Sequence, residues 1–154
     1  MIWEELNEPL IMLDVQAKTM PDVMRAVGGA LTEQGYGKAT YVDALIERET
    51  EYPTGLDIDG VGIAIPHTAV DYVDNAAIAV AKLAQPVTFE EMGTDGTVDV
   101  KLVFMLCVTD PKAHLADLQR IIAIVQDKSV LETLLTAGSA QDVIDTIKEK
   151  ELSL

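Results

Sequence analysis

The chain has 154 residues and is strongly acidic, with 26 Asp and Glu against 11 Lys and Arg and a formal net charge of −15 at pH 7. This charge disfavours binding to nucleic acid, which relies on Lys and Arg to neutralise phosphates, and to anionic membrane surfaces. It favours a partner with a basic face, and the plainer alternative is that the acidity serves only solubility.

The length fits a single domain over residues 1–154, and the high apolar content with few aromatic residues predicts an aliphatic core. No apolar stretch reaches the roughly 18 residues of a membrane span. The first residues lack the basic region of a signal peptide, so we expect a cytosolic protein without direct membrane insertion. The single cysteine, Cys107, agrees with a reducing compartment.

The first part of the chain predicts one short strand and one helix. The apolar residues of segment 9–15 favour a strand. The sequence Thr19-Met20-Pro21-Asp22 is typical of a capped helix start, and the apolar residues that follow fall on one helical face. Gly28-Gly29 weakens this helix and is interpreted as a place of close packing, whereas Gly35 and Gly37 end it.

A second helix is predicted to begin near Thr40, and its inner stripe of apolar side chains turns polar at the end. The polar residue is Glu49, and Arg48 lies beside it in the last turn. The sequence Tyr-Pro-Thr-Gly at 52–55 breaks the helix, and we expect a loop from there to residue 61.

The next segment ends in one of the chain's two histidines. The apolar run 61–65 predicts a buried strand, and Pro66 ends it, because proline lacks an N–H group and holds the preceding residue extended. His67 is then the first polar side chain beyond the strand. The ends of strands in α/β sheets are where such folds place their chemistry, so His67 is a candidate functional residue.

Two further strands are predicted in the second half. The apolar run 76–84 favours a strand that Gln85-Pro86 ends, and residues 90–97 are typical of a polar loop or turn. Residues 98–108 alternate at first and then become wholly apolar. This pattern is typical of a central strand that is covered on both faces.

Three helices are predicted after this strand. Asp110 is placed to cap the first of them, and Pro111 takes its favoured first position. A shorter helix covers 129–137, and the last helix begins at Ser139. Because helices and strands interleave, the predicted fold class is α/β with a sheet covered on both faces. The first of these helices is expected to bury a stripe of Leu115, Leu118, Ile121, Ile122 and Val125.

The second histidine, His114, lies in the first turn of the helix that Asp110 caps. A helix N-terminus presents free N–H groups and a positive dipole end, so His114 is expected at an anion site. If the two strands that precede His67 and His114 are parallel neighbours, both histidines lie at one edge of the sheet. Two imidazoles, Arg48 and an anion site favour phosphoryl transfer through a phosphohistidine.

Alternatives to this chemistry remain open from the residues alone. Either histidine can be purely structural, and Arg48 can simply interact with the helix dipole and solvent. A metal-dependent hydrolase using both histidines is disfavoured, since no H-x-x-x-H or cysteine-rich spacing occurs. Cys107 is expected to be a small core residue. No glycine-rich nucleotide loop is present, which disfavours direct use of ATP or NAD.

The motifs taken together resemble the fructose/mannitol-type enzyme IIA domain of the bacterial sugar phosphotransferase system. The resemblance extends from about Thr19 to near the C-terminus, and the strand ending in Ile-Pro-His is its most specific part. It is carried by Arg48-Glu49, Pro53-Thr54-Gly55, Gly62-Ile63-Ala64-Ile65-Pro66-His67 and His114-Leu115.

The resemblance implies a single domain with a mixed β-sheet sandwiched between helical layers. It also implies that the phosphocarrier HPr donates a phosphoryl group to His67, which passes it to a cysteine of enzyme IIB. His114 and Arg48 are expected to support the phosphoryl group, and no metal or organic cofactor is implied. Any association with a membrane is expected to be indirect, through enzyme IIC.

Within the family, residues 48–55 and 130–134 look most like the galactitol-type branch. The nitrogen-regulatory branch shares the Pro-His strand end, so a regulatory phosphoprotein that acts by binding a partner is the alternative. Because no linker follows Leu154, we expect a free-standing subunit rather than one fused to enzyme IIB or IIC.

Overall fold

The computed structural model describes residues 1–154, and its centre is a five-stranded sheet in the order β1-β4-β5-β3-β2. β1 pairs with β4 and β3 with β5 in parallel, while β4–β5 and β2–β3 are antiparallel, so the sheet is mixed as expected. The strands are β1 (Ile11–Val15), β2 (Leu56–Ile58), β3 (Val61–Ala64), β4 (Ala77–Glu90) and β5 (Thr97–Cys107).

Helices precede β2 and follow β5. A π-helical turn over Met24–Gly28 joins α1 to α2, and short 3-10 turns lie at Ile2–Glu5, Glu8–Leu10 and Val70–Tyr72. None of the helices combines the length and the apolar composition that crossing a bilayer requires. The helices are α1 (Met20–Val23), α2 (Gly29–Glu33), α3 (Tyr41–Glu51), α4 (Pro111–Val125), α5 (Lys128–Thr136) and α6 (Ala140–Ser153).

Both faces of the sheet are buried, as the apolar run of β5 predicts. The core consists of two clusters, one of 22 and one of 19 buried residues. Successive side chains of a strand point to opposite faces, so β5 contributes to both clusters in alternation. Val103, Met105 and Cys107 belong to one cluster, and Leu102, Phe104 and Leu106 to the other.

The predicted helix starts are confirmed where a cap marks them. Asp110 accepts a hydrogen bond from the Lys112 N–H at 3.0 Å, and Ser139 accepts one from the Asp142 N–H at 3.1 Å. The helix expected over 129–137 instead begins at Lys128, because the side chain of Asp127 caps it.

Close packing at the first glycine pair is confirmed for one of its members. A Cβ atom on Gly28 would lie 2.9 Å from Leu45 Cδ1 and 3.2 Å from Val42 Cγ2, whereas nothing approaches Gly29 within 4 Å. The π-helical turn continues α1 into α2. Gly28, the last residue of this turn, is where the helix packs against α3.

The prediction that Gln85-Pro86 ends a strand is wrong. β4 continues through this pair to Glu90, and the pairing register with β5 shifts between Lys82 and Val87. A proline is tolerated at such an irregularity, because the residues within it need no N–H for the ladder. Gln85 and Pro86 are also exposed, so the bulge places them in solvent.

Two further expectations are corrected. The stretch before β3 is not a simple loop but an antiparallel hairpin with β2, joined by Asp59 and Gly60, which both have positive φ. Leu115 does not face the core, since its side chain is 64% exposed. The fully buried residues of α4 are Ile121, Ile124 and Val125, all in its second half.

Candidate functional site

The two histidines meet at one edge of the sheet. β3 and β5 are parallel neighbours with Ala64 opposite Val103, so the segments that follow both strands leave the sheet on the same side. The ring centroids of His67 and His114 lie 4.3 Å apart, with an angle of 84° between the ring planes. The adjacency that the sequence left open is thus present in the fold.

His67 is held in one orientation by its own strand end. Its Nδ1 atom lies 2.8 Å from the carbonyl oxygen of Ile65, and since a carbonyl only accepts, Nδ1 carries the proton. Burial lowers the pKa of His67 to about 4, and the Ile65 hydrogen bond opposes this shift, while His114 and Arg48 add to it. At neutral pH the ring is therefore uncharged, with its lone pair on Nε2.

His114 is half-buried in the first turn of α4, and its Nε2 atom is buried without a hydrogen-bond partner in the protein. Burial lowers the pKa of His114, and the charge of Arg48 lowers it further. The ring thus presents an unbonded nitrogen close to His67 without carrying a fixed charge of its own.

The expected anion site on the backbone at the start of α4 is not supported. The side chain of Asp110 binds the N–H of Lys112, and its carbonyl oxygen accepts from the N–H of Ala113 at 3.0 Å. These donors are occupied, and the capping carboxylate counters the positive end of the helix dipole. Binding of an anion beside His114 therefore depends on side chains.

Arg48 lies in the last turn of α3 and supplies the positive charge of the site. Its Nε atom is buried without a hydrogen-bond partner, and its guanidinium carbon lies 5.0 Å from the centroid of the Tyr52 ring. That ring covers one side of the guanidinium in a cation–π contact. The charge of Arg48 acts on both imidazoles, so the fold brings together all three residues that the sequence proposed, His67, His114 and Arg48.

The sequence interpretation missed the role of Glu49 and Thr54. Glu49 is 4% exposed, and its two carboxylate oxygens accept hydrogen bonds from the N–H and the hydroxyl of Thr54, at 2.7 and 2.8 Å. Burial raises the pKa of Glu49, and the hydrogen bonds from Thr54 act against this shift. The available signal was the glutamate on an otherwise apolar helix stripe, since buried carboxylates need partners.

An open pocket of about 590 Å³ lies beside His67. The tip of the β4–β5 hairpin forms one wall, and Met92 N–H anchors it to the carbonyl oxygen of Gly55 at 2.8 Å. A side chain on Gly55 would collide with the hairpin, because its Cβ would lie 2.5 Å from Glu90 O. The charged residues of the lining are all acidic: Glu51, Glu91 and Asp95.

No group of three or more His, Cys, Asp or Glu side chains is arranged to hold a metal ion. Cys107 is buried at the end of β5, as expected for a core residue. Burial raises the pKa of its thiol to about 12, so the thiol stays protonated at neutral pH.

Comparison with known proteins places these features in one family. Residues 4–150 match the family model described as "Phosphoenolpyruvate-dependent sugar phosphotransferase system, EIIA 2". The galactitol-specific EIIA component of Escherichia coli strain K12 is 32% identical over 120 residues, which cover 78% of this chain and 80% of that protein.

Two solved structures share the fold over nearly the whole chain. Enzyme IIA for mannitol from Escherichia coli, in complex with its phosphorylated enzyme IIB, has 26% identity and a TM-score of 0.79, covering 94% of this chain and 97% of that chain. The nitrogen regulatory protein IIA-Ntr from Neisseria meningitidis has 31% identity and a TM-score of 0.79, covering 95% and 98%. The chain therefore belongs to the EIIA-2 family of the phosphoenolpyruvate-dependent sugar phosphotransferase system, whose members are phosphotransferases that carry a phosphoryl group on a histidine.

Proposed function

We propose that this phosphoryl carrier accepts the phosphoryl group on Nε2 of His67, with Arg48 and His114 as supporting residues. The observation that carries the proposal is the hydrogen bond from His67 Nδ1–H to the Ile65 carbonyl. It leaves the lone pair on Nε2, and the lowered pKa keeps that nitrogen unprotonated at neutral pH. A neutral imidazole nitrogen is a competent nucleophile toward phosphorus.

The proposed transfer forms one P–N bond and breaks another. Nε2 of His67 attacks the phosphorus of the donor's phosphohistidine, and the electron pair of the broken bond returns to the donor ring. The proton on Nδ1 of His67 stays in place, so the phosphorylated ring gains positive charge, which the Ile65 carbonyl stabilises. Transfer to an acceptor thiolate then breaks this P–N bond and forms a P–S bond.

Arg48 and His114 are proposed to bind the oxygens of the phosphoryl group. Arg48 Nε and His114 Nε2 are buried atoms without partners, and unpaired buried polar atoms are costly unless a ligand engages them. Arg48 Nε is always a donor, and His114 is proposed to bind in the tautomer that carries its proton on Nε2. The guanidinium also supplies a charge that opposes the charge of the phosphoryl group. Both groups are already in place before the reaction, which reduces the reorganisation that transfer requires.

HPr is the proposed donor and an enzyme IIB the proposed acceptor, through its cysteine. The acidic rim of Glu51, Glu91 and Asp95 and the net charge of −15 favour partners that dock with basic faces. Exposed Tyr52 and Met92 line the same pocket and offer apolar contacts. The complex of the Escherichia coli mannitol protein with its enzyme IIB supports the assignment of the acceptor.

The similarity to the galactitol-specific component supports galactitol or a related polyol as the transported sugar. We place the relay in the cytoplasm, where phosphoenolpyruvate is produced, with membrane association only through enzyme IIC. We also propose that residues 1–154 form one EIIA domain, since the family match spans 4–150.

The test is phosphoryl transfer from phosphoenolpyruvate through enzyme I and HPr to the wild type, His67→Ala and His114→Ala. We expect acid-labile label on the wild type, none on His67→Ala and slow labelling of His114→Ala. Because the chain has only two histidines, ¹⁵N spectra of the labelled protein identify the phosphorylated nitrogen directly. Label on His67→Ala, or on Nδ1 of His67, would contradict the proposal.

A second assay separates transport from regulation. Phosphorylated protein is mixed with enzyme IIB of galactitol, mannitol or fructose systems, and loss of its label is followed over time. Rapid loss to the galactitol enzyme IIB is expected. If no enzyme IIB removes the label, the regulatory alternative is favoured.

A further inference from the structure

A continuous chain of hydrogen bonds joins the last turn of α3 to the imidazole of His67. The hydroxyl of Thr54 donates to Glu49 and accepts a hydrogen bond from the N–H of Ile65 at 3.1 Å. The carbonyl of Ile65 in turn accepts from the imidazole of His67. None of these four residues is more than 9% exposed. Solvent therefore has little opportunity to replace any bond of the chain.

The direction of each bond in this chain is fixed by chemistry. The N–H of Ile65 can only donate, so the Thr54 hydroxyl must accept there and give its own hydrogen to Glu49. A carboxylate that accepts from both the N–H and the hydroxyl of Thr54 fits this direction. The carbonyl of Ile65 can only accept, so it requires the proton on Nδ1 of His67.

Thr54 replaces a strand neighbour that Ile65 lacks. β3 ends at Ala64, and β2 begins only at Leu56, opposite Ile63, so the N–H of Ile65 lies beyond the β2–β3 ladder. The following peptide is held from the other side, where Leu106 N–H donates to the carbonyl of Pro66 at 3.0 Å. The Ile65-Pro66 backbone is thus held by Thr54, which follows α3, and by Leu106 of β5, so the carbonyl of Ile65 has a defined direction.

We propose that Glu49 and Thr54 are positioning residues that select the Nδ1–H tautomer of His67 by fixing the carbonyl of Ile65. Neither makes a hydrogen bond to His67. They act through the backbone of Ile65, and their loss lets the imidazole exchange between tautomers. The fraction of protein with a free lone pair on Nε2 then falls. The inference rests on the proposed function, since it concerns the nitrogen that accepts the phosphoryl group.

The experiment compares Thr54→Val with Thr54→Ser. The side chain of valine has the shape of threonine but neither accepts from Ile65 nor donates to Glu49, while the backbone N–H at position 54 keeps its bond to Glu49. Serine keeps the hydroxyl and with it both side-chain bonds. The ¹⁵N ring spectrum of His67 in the unphosphorylated protein is the first readout, assigned with His67→Gln. We expect the wild type and Thr54→Ser to show a protonated Nδ1, and Thr54→Val to show both nitrogens shifted toward averaged values.

The rate of transfer from phosphorylated HPr is the second readout. Thr54→Val is expected to lower the maximal rate roughly tenfold, the lower end of what loss of a group that orients a functional histidine costs. The concentration of HPr at half-maximal rate should change little, because Thr54 lines the pocket but is only 2% exposed, and valine has nearly the same shape. Thr54→Ser should retain nearly the rate of the wild type.

A second variant keeps the inference testable if Thr54→Val does not fold. Glu49→Gln is isosteric but turns an NH₂ group toward one of the two Thr54 donors, so it should shift the tautomer of His67 in the same direction. Glu151→Gln, which alters a buried carboxylate far along the chain, is the matched control and should leave the spectrum unchanged.

An unaltered His67 spectrum in both Thr54→Val and Glu49→Gln would overturn the inference. A slower rate with that spectrum unaltered would do so as well, since the loss would then have another cause. Failure of the wild type to accept phosphate on His67 would instead contradict the proposed function. The tautomer comparison needs no phosphoryl group and still decides the positioning role in that case.

Discussion

Two buried glutamates occupy matching places in their helices but hold different parts of the molecule. Glu49 lies in the last turn of α3 and Glu151 in the last turn of α6, and both are at most 4% exposed. A carboxylate there faces the negative end of the helix dipole, so its burial is unfavourable unless donors bind it. Each glutamate meets this need with two hydrogen bonds from another segment.

The difference lies in what the donors belong to. Glu151 binds the N–H groups of Ile2 and Trp3 and lies 3.5 Å from Arg120 Nε, so it fastens the N-terminal segment to α6. Glu49 binds Thr54, which leads to His67. We call Glu49, Thr54 and His67 the Glu49 end, and Glu151 with its partners Ile2, Trp3 and Arg120 the Glu151 end. The same local chemistry serves stability at the Glu151 end and the proposed reaction at the Glu49 end, so substitutions at the two ends should separate these effects.

The largest expected effect is the pH dependence of stability at the Glu49 end. The pKa of His67 is lowered from 6.5 to about 4 in the folded protein, chiefly by burial. The unfolded chain therefore binds a proton at higher pH than the folded one. The corresponding stability is complete above pH 6.5 and is lost as the pH falls toward 4. The loss amounts to about 3 kcal/mol, from about 1.4 kcal/mol per pKa unit.

Urea unfolding gives the free energy of unfolding of the wild type and of His67→Gln at each pH between 7 and 4. The difference between the two proteins in how steeply this free energy falls with pH measures the contribution of His67. The wild type should lose more stability than the variant over this range. NMR titration of His67 supplies an independent value for its pKa. Parallel stability curves for the two proteins would contradict the assignment, as would titration of His67 near 6.5.

His114→Ala should affect transfer more than stability, because His114 is half-buried in the first turn of α4 and its Nε2 makes no bond within the protein. Loss of one donor to a transferring group typically slows a reaction about 100-fold, or about 2.7 kcal/mol in the barrier. We expect a loss of that size in transfer from HPr and less than about 1 kcal/mol in unfolding. If His114→Ala instead lowered the unfolding temperature by many degrees and left transfer intact, His114 would be a structural residue and not a supporting residue of the reaction.

Glu151→Gln should show the opposite behaviour. The substitution turns an NH₂ group toward one of two backbone donors and weakens the pair with Arg120, so the free energy of unfolding should fall by about 2 kcal/mol. Transfer by the folded protein should match the wild type. Urea unfolding and the transfer assay, both at a temperature where the variant is folded, measure the two quantities. A slowed transfer would show that the two ends are not independent.

A double-variant cycle tests that independence directly. Glu49 and Thr54 share two hydrogen bonds, so the unfolding effects of Glu49→Gln and Thr54→Val should be non-additive by about 1 kcal/mol. Glu49→Gln and Glu151→Gln share no partner and should add within about 0.5 kcal/mol. If the unfolding effects of the two glutamate substitutions were also non-additive by about 1 kcal/mol, the Glu49 end and the Glu151 end would not be independent.

Features with a local cause could be predicted from the sequence. The cap at Asp110, the strand end at Pro66 and the covered faces of β5 each depend on residues that are close in the chain. The turn between β2 and β3 was also readable, because Asp59-Gly60 between two apolar stretches is a strong hairpin signal. The prediction of a simple loop before β3 overlooks this signal.

Features that depend on tertiary neighbours could not be predicted. Tyr41 begins α3 and is fully buried, because its hydroxyl donates to the carbonyl of Leu106 on β5 at 2.6 Å. Leu115 has the right helical spacing for the core, but it lies on the outer side of the first turns of α4, while Ala113 and Leu118 pack against the core. The bond between Thr54 and Ile65 likewise needs the segment after α3 to lie beside the end of β3, which no periodicity encodes.

The smallest expected effect concerns acidic residues near Glu151. Burial raises the pKa of Asp117, and Glu151 raises it further while the N-terminal ammonium opposes the shift. Burial raises the pKa of Glu5 as well, followed by the charge of Asp117. These carboxyls bind protons more tightly in the folded than in the unfolded protein, so their contribution is lost as the pH rises through the folded pKa.

Asp117→Asn removes one of these charges and should raise the free energy of unfolding at pH 7 by up to about 0.5 kcal/mol, the range of partly exposed substitutions. The gain should disappear as the pH falls below the raised pKa of Asp117, because the folded wild type then carries a proton on that carboxyl. Lowering the pH would then destabilise the folded protein through His67 at the Glu49 end and stabilise it through the carboxyls of the Glu151 end. If Asp117→Asn were less stable than the wild type at pH 7, Asp117 would have a favourable partner at that end, and the carboxyls there could not be treated as mutually repulsive.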